Sequence, residues 1–226
     1  MKKLISKISG FKNLAGVLFV ATIIWGCGSD NNRLRERAQI EGEESAKMAV
    51  EAENTNREKR VSEMESDLQR RQQVYHALKG TYQGPDNKGY ESRFVLTPSL
   101  PFYKPNRVRT VEEVTNDLTN LFITIEVSFW DPTDSLNRYS CHFQTVRPDL
   151  ETGRMYLSTE GCPFSFAVFM GDLNVDPNNE TPASSSSQVV KSVLAGVNTK
   201  ISQIHIEERS RNTPDVIQFS LDRKGP

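Results

Sequence analysis

The sequence predicts a mainly β fold, in which an N-terminal helix precedes an antiparallel β-barrel or β-sandwich of about eight strands. Three observations carry this. The apolar spacing changes at Gly80 from alternating threes and fours to strict alternation. Beyond that point, eight short alternating segments are separated by clusters of Pro, Gly, Asn and Asp. Helix signals in the same region are nearly absent, apart from Val111 to Leu118 and an ambiguous stretch from Gln188 to Val197.

The first element is a leader. Lys2, Lys3, Lys7 and Lys12 precede an apolar run from Leu14 to Trp25 of only 12 residues, whereas a membrane-spanning helix needs about 20. A basic start, a short apolar run and small residues at a processing point make a secretory signal. The run ends in Ile24-Trp25-Gly26-Cys27, which resembles the lipobox of bacterial lipoproteins. Gly26 and Cys27 match that motif, Ile24 supplies its aliphatic residue, and Trp25 stands where it has a small one. The resemblance implies that residues 1–26 are removed and that the Cys27 thiol carries diacylglycerol, with further acylation giving a stable anchor. Gly28 rather than Asp follows the cysteine, which under the family's sorting rules implies the outer membrane. An ordinary secretory signal would leave Cys27 incidental, but no comparable cleavage site lies nearby.

Without residues 1–26 the chain holds 24 basic and 29 acidic side chains, about −5 in all. The basic excess of a nucleic-acid-binding surface is missing. Residues 27–60 are dense in Glu, Arg, Asn and Ala and can bury little, so they make a polar tether, either a solvated helix or a flexible spacer. If residues 33–79 were helical throughout they would reach roughly 70 Å.

Residues 61–79 form an amphipathic helix. Val61, Met64, Leu68, Tyr75 and Leu78 lie on one stripe, which Arg71 interrupts. The stripe is too short for a sustained coiled coil and suits packing against the domain that follows. Gly80 ends the helix.

Residues 80–226 form one β domain. Its strands are Thr81 to Gln83, Ser92 to Thr97, "LFITIEVSFW" (121–130), Arg138 to Val146, Arg154 to Thr159, Phe164 to Met170, Ile201 to Glu208 and Val216 to Leu221. In the third, Leu121, Ile123, Ile125, Val127 and Phe129 share the buried face. The tract "ETPASSSSQ" (180–188) reads as a flexible exposed loop.

Cys141 and Cys162 flank "PDLETG" (148–153), which has strong turn chemistry. If that turn joins an antiparallel hairpin, position 141 falls almost opposite position 161. In an oxidising compartment the two cysteines then form a disulfide.

No catalytic constellation emerges. His76 lies off the helical stripe, and alternation points His142 and His205 outward, away from Cys141 and the core. In "DLNVDPNNE", Asp172, Asn174, Asp176, Asn178 and Glu180 alternate like the start of a calcium loop, yet Pro177 and Ala183 occupy its two decisive positions. The segment therefore reads as a turn, Glu112 and Glu113 are too ordinary to name as an acid/base pair, and neither metal nor cofactor is expected. The leading functional expectation is a lipid-anchored, non-enzymatic module that binds an envelope protein, glycan or peptidoglycan, or serves as an accessory to an envelope assembly. A small-ligand carrier with an aromatic interior (Phe129, Tyr139, Phe143, Phe164, Phe166 and Phe169) is the alternative, and an envelope hydrolase comes third.

Overall fold

The computed structural model describes residues 30–100, 108–172, 182–210 and 215–225. The chain divides into two units, one ending at Glu53 and the other beginning at Asn54. In the first, the described residues are helical, and from Arg35 onward every one is exposed, as their polar composition requires. Among the described residues no helix is long and apolar enough to cross a membrane.

Helix α1 (Asp30–Leu78) runs into the second unit. There Leu68, Val74, Tyr75, Ala77 and Leu78 are buried, with Val61 and Met64 packed at the edge of the same core. Arg71, the interruption in the stripe, bonds Asp67 one turn earlier at 2.8 Å, which keeps its charge at the rim.

Eight strands follow: β1 (Gly80–Pro85), β2 (Glu91–Ser99), β3 (Phe122–Asp131), β4 (Asp134–Val146), β5 (Arg154–Leu157), β6 (Phe164–Gly171), β7 (Gln203–Ser210) and β8 (Val216–Lys224). All eight correspond to the segments expected from alternation, with ends shifted by a few residues. They form one sheet in the order β4-β3-β2-β1-β8-β7-β6-β5, and every ladder is antiparallel. The sheet curls into a nearly closed barrel whose seam lies between β4 and β5.

That seam corrects the expected hairpin. The "PDLETG" turn exists: Asp149 N–H donates to the Arg154 carbonyl at 2.9 Å, and the Asp149 side chain accepts from Glu151 N–H at 2.9 Å and from the Thr152 hydroxyl at 2.6 Å. It does not start a ladder, because β5 gives its ladder to β6 and β4 gives its own to β3. Only the single bridge Asp149–Arg154 forms at the turn.

Two helices interrupt the strand succession. Helix α2 (Val111–Asn120) opens on a capping box in which Glu113 N–H donates to the Thr110 hydroxyl at 3.2 Å and the Glu113 carboxylate accepts from Thr110 N–H at 2.9 Å. Helix α3 (Pro182–Leu194) overturns the loop expected over 180–188 for the described residues 182–188 and makes Gln188 to Leu194 helical. Its serines are not a solvated linker: Ser185 and Ser186 are buried, and small side chains let this helix lie close on β6 and the turn before β5. Val189, Val190 and Val193 complete its buried face.

The interior is filled. Phe94, Leu96, Ile123, Ile125, Val127, Phe166, Val168, Ile204, Ile206 and Leu221 are all at most 1 % exposed. The end of α1, α2 and α3 pack at one end of the barrel. Tyr82, buried there, donates from its phenol towards the Leu78 and Ile201 carbonyls, at 3.1 and 3.2 Å. Nearby, Arg223 donates to the carbonyls of Ala77, Ile201 and Lys79, tying β8 to the last turn of α1.

Candidate functional site at the open end of the barrel

The opposite end, where β2, β4, β6 and β8 begin and β1, β3 and β7 finish, carries no helix among the described residues. A cavity of about 340 Å³ opens there, at the lower end of the range for small-molecule sites. Phe129 from the end of β3, Tyr139 from the start of β4, and Pro163 and Phe164 at the start of β6 form its apolar wall. The β1–β2 turn brings Asp86, Lys88 and Tyr90 to the rim, and Glu208 reaches in from β7.

Chain direction explains each placement. Alternation along β7 sets Ile204, Ile206 and Glu208 on one face, so the carboxylate points inward with the core residues. It sits in register with Phe166 on β6 and Ile217 on β8, and only 6 % of the residue is exposed. Burial pushes its pKa up; Lys88 pulls it down and Asp86 raises it further.

Asp86 holds the turn together. Its Oδ1 accepts from the backbone N–H groups of Lys88 and Tyr90, both at 2.8 Å, and Gly89 supplies the positive φ (+84°) that closes it. The aromatic wall is mutually braced. Phe164 meets Tyr139 edge-on at 5.7 Å between ring centroids and Phe129 at 5.9 Å, and Phe129 stacks on Phe166 at 5.7 Å. Phe143 joins the same set through Phe166. Phe169 departs from it, since it points to the other face of β6 and lies 5.0 Å from the Arg154 guanidinium.

Cys141 and Cys162 are joined in a disulfide, with 5.7 Å between their Cα atoms. The bond spans the seam beside the cavity, two residues from Tyr139 and next to Pro163. A second cavity, of about 390 Å³, follows the seam between His142–Arg147 and Tyr156–Thr159. Here a bulge in β4 sets Thr145 at φ +57°, which kinks the edge and weakens it as a template for further strands.

The remaining sequence candidates do not converge. His76 and His142 are exposed. His205 lies half-buried on the outer face, its Nδ1 2.7 Å from the Ser220 hydroxyl, and burial lowers its pKa. Asp172 accepts from the Asn198 side chain at 3.3 Å and the Ser202 hydroxyl at 3.4 Å. Asn174, Asp176, Asn178 and Glu180 fall outside the described residues, as does Cys27. Glu113 serves the cap of α2. Among the described residues, no three His, Cys, Asp or Glu side chains lie close enough to hold a metal ion. Glu208 was missed from sequence, although the alternation that turns His205 outward turns Glu208 inward.

No family model matches the chain, and no curated protein sequence or solved structure is significantly similar to it.

Proposed function

We propose that this is an exported envelope protein, anchored by lipid at Cys27 on the outer membrane, whose nearly closed barrel is a non-enzymatic binding module. The observation that supports export is the Cys141–Cys162 disulfide, a bond typical of oxidising compartments. It accords with a leader ending in Ile24-Trp25-Gly26-Cys27. The polar, exposed helix after Asp30 suits a spacer between lipid and barrel, and the module's partner is an envelope protein or glycan.

The test is Cys27→Ser. Loss of acyl labelling together with release from the membrane fraction is the expected result. Unchanged processing and membrane partition would overturn the anchor.

A second reading, a small-ligand carrier, is favoured by the cavity at the barrel mouth. The barrel interior proper is packed with side chains, so a ligand would sit at the mouth and not deep inside.

A further inference from the structure

We propose that the barrel mouth binds small organic cations, with an ammonium head seated against the Glu208 carboxylate and the aromatic wall of Phe129, Tyr139 and Phe164. The proposal rests on the reading of the barrel as a binding module and is independent of the lipid anchor.

Two features of the cavity point to this class. Glu208 is more than nine-tenths buried yet lines an open cavity, held between Phe166 and Ile217 in the sheet register. A carboxylate placed so costs stability unless an opposite charge or hydrogen-bond donors compensate it. The wall around it is aromatic, and the face of such a ring attracts a cation that has shed its water. Carboxylate and rings together complement an alkylated ammonium, whose methyl or methylene groups suit the apolar wall and whose charge suits Glu208. An anion would meet the carboxylate directly, and an uncharged molecule would gain nothing from its charge.

Lys88 is the internal competitor. It sits exposed on the β1–β2 turn at the rim and, among the described residues, is a positive group acting on Glu208. Its long flexible side chain can turn to solvent as a ligand enters, so Lys88 should weaken cation binding without preventing it.

The experiment titrates the full chain with choline, with n-butylammonium and with the uncharged tert-butyl analogue of choline, followed by calorimetry and by chemical-shift changes at Tyr139 and Glu208. The expected result is saturable binding of at least one cation, at least tenfold tighter than the neutral analogue. Glu208→Gln, nearly isosteric, should weaken it at least tenfold, and Lys88→Glu, on an exposed turn, should tighten it several-fold. Equal binding of the neutral analogue, no perturbation of mouth resonances by either cation, or an affinity indifferent to Lys88→Glu would overturn the proposal. The Lys88 variant keeps the test decisive if the Glu208 variant does not fold. Failure here alongside acylation at Cys27 would remove the cation site and leave the envelope reading standing.

Discussion

Ser186 on α3 donates its hydroxyl hydrogen to the Gly153 carbonyl at 2.8 Å while accepting from the Met170 N–H at 3.0 Å. A Cβ at Gly153 would fall 2.2 Å from that same hydroxyl oxygen, and Gly153 sits at φ +65°. One buried serine thus fastens the helix to both the turn before β5 and the end of β6. Ser186→Ala should destabilise by about 0.5–1.5 kcal/mol, the net worth of a hydrogen bond, because Met170 N–H and the Gly153 carbonyl still bond each other at 3.1 Å. Gly153→Ala should cost at least ~2 kcal/mol, since steric overlap and an unfavourable φ act together. Urea unfolding measures both, and a neutral Gly153→Ala would show that α3 is not held against the turn.

The disulfide closes a loop between positions 21 apart in sequence, which the loop-entropy model values at about 3 kcal/mol. Reduction, or Cys141→Ser, should cost ~2–5 kcal/mol. Hydrogen exchange should rise along β4 and β5, which share no ladder, more than along β1 and β8, which do.

Glu208 carries a pH signature with a definite sign. Burial makes the native carboxyl hold its proton to higher pH than the unfolded chain does. Its contribution to stability is therefore full below the unfolded glutamate value of about 4.3 and is lost as pH rises from there through the native value. Among the described residues, the ionisable groups sharing the cavity are Asp86, Lys88, Tyr90 and Tyr139. Glu208→Gln should gain stability over the parent chain at pH 7 relative to pH 4. The same difference at both pH values would mean that the carboxylate is compensated where it lies.

Thr110 is the reciprocal cap of α2. Thr110→Ala should cost about 0.5–2 kcal/mol, and Thr110→Ser or Asp should recover most of it. Thermal melts of the three variants would check this.

Much of this fold is legible residue by residue. The alternation of Ile123, Ile125, Val127 and Phe129 locates β3 because a half-buried strand has no other way to arrange its side chains. The same parity shows that Glu208 shares a face with Ile204 and Ile206, so the key polar residue of the mouth was available from sequence too. The first half of helix α3 was not, because four consecutive serines carry no periodicity and their partners at Gly153 and Met170 lie far away in sequence. The strand partner of Cys141, Val127 on β3, and the place of Cys162 between β5 and β6 were also beyond reach. A turn reports that the chain reverses, and barrel curvature decides which edges meet. The disulfide forms although the hairpin does not, since the barrel seam brings the same two segments together.

In all ladders but one, strands that pair are also consecutive in the chain. The exception joins β1 to β8, where Thr81 meets Lys224 about 140 residues later. Such a closure must overcome the largest loss of chain entropy before any contact repays it. The ribbons β1–β4 and β5–β8 can therefore assemble separately, each from local reversals, with the edge of β1 waiting unpaired. A waiting edge invites the wrong strand. The last residues of β8 consequently act as a latch: Arg223 reaches Ala77 and Lys79 only once the final strand has arrived. Completion of the ring is thus timed by the end of β8, and a chain stopped at Leu221 would keep most of its core residues while remaining open at both seams.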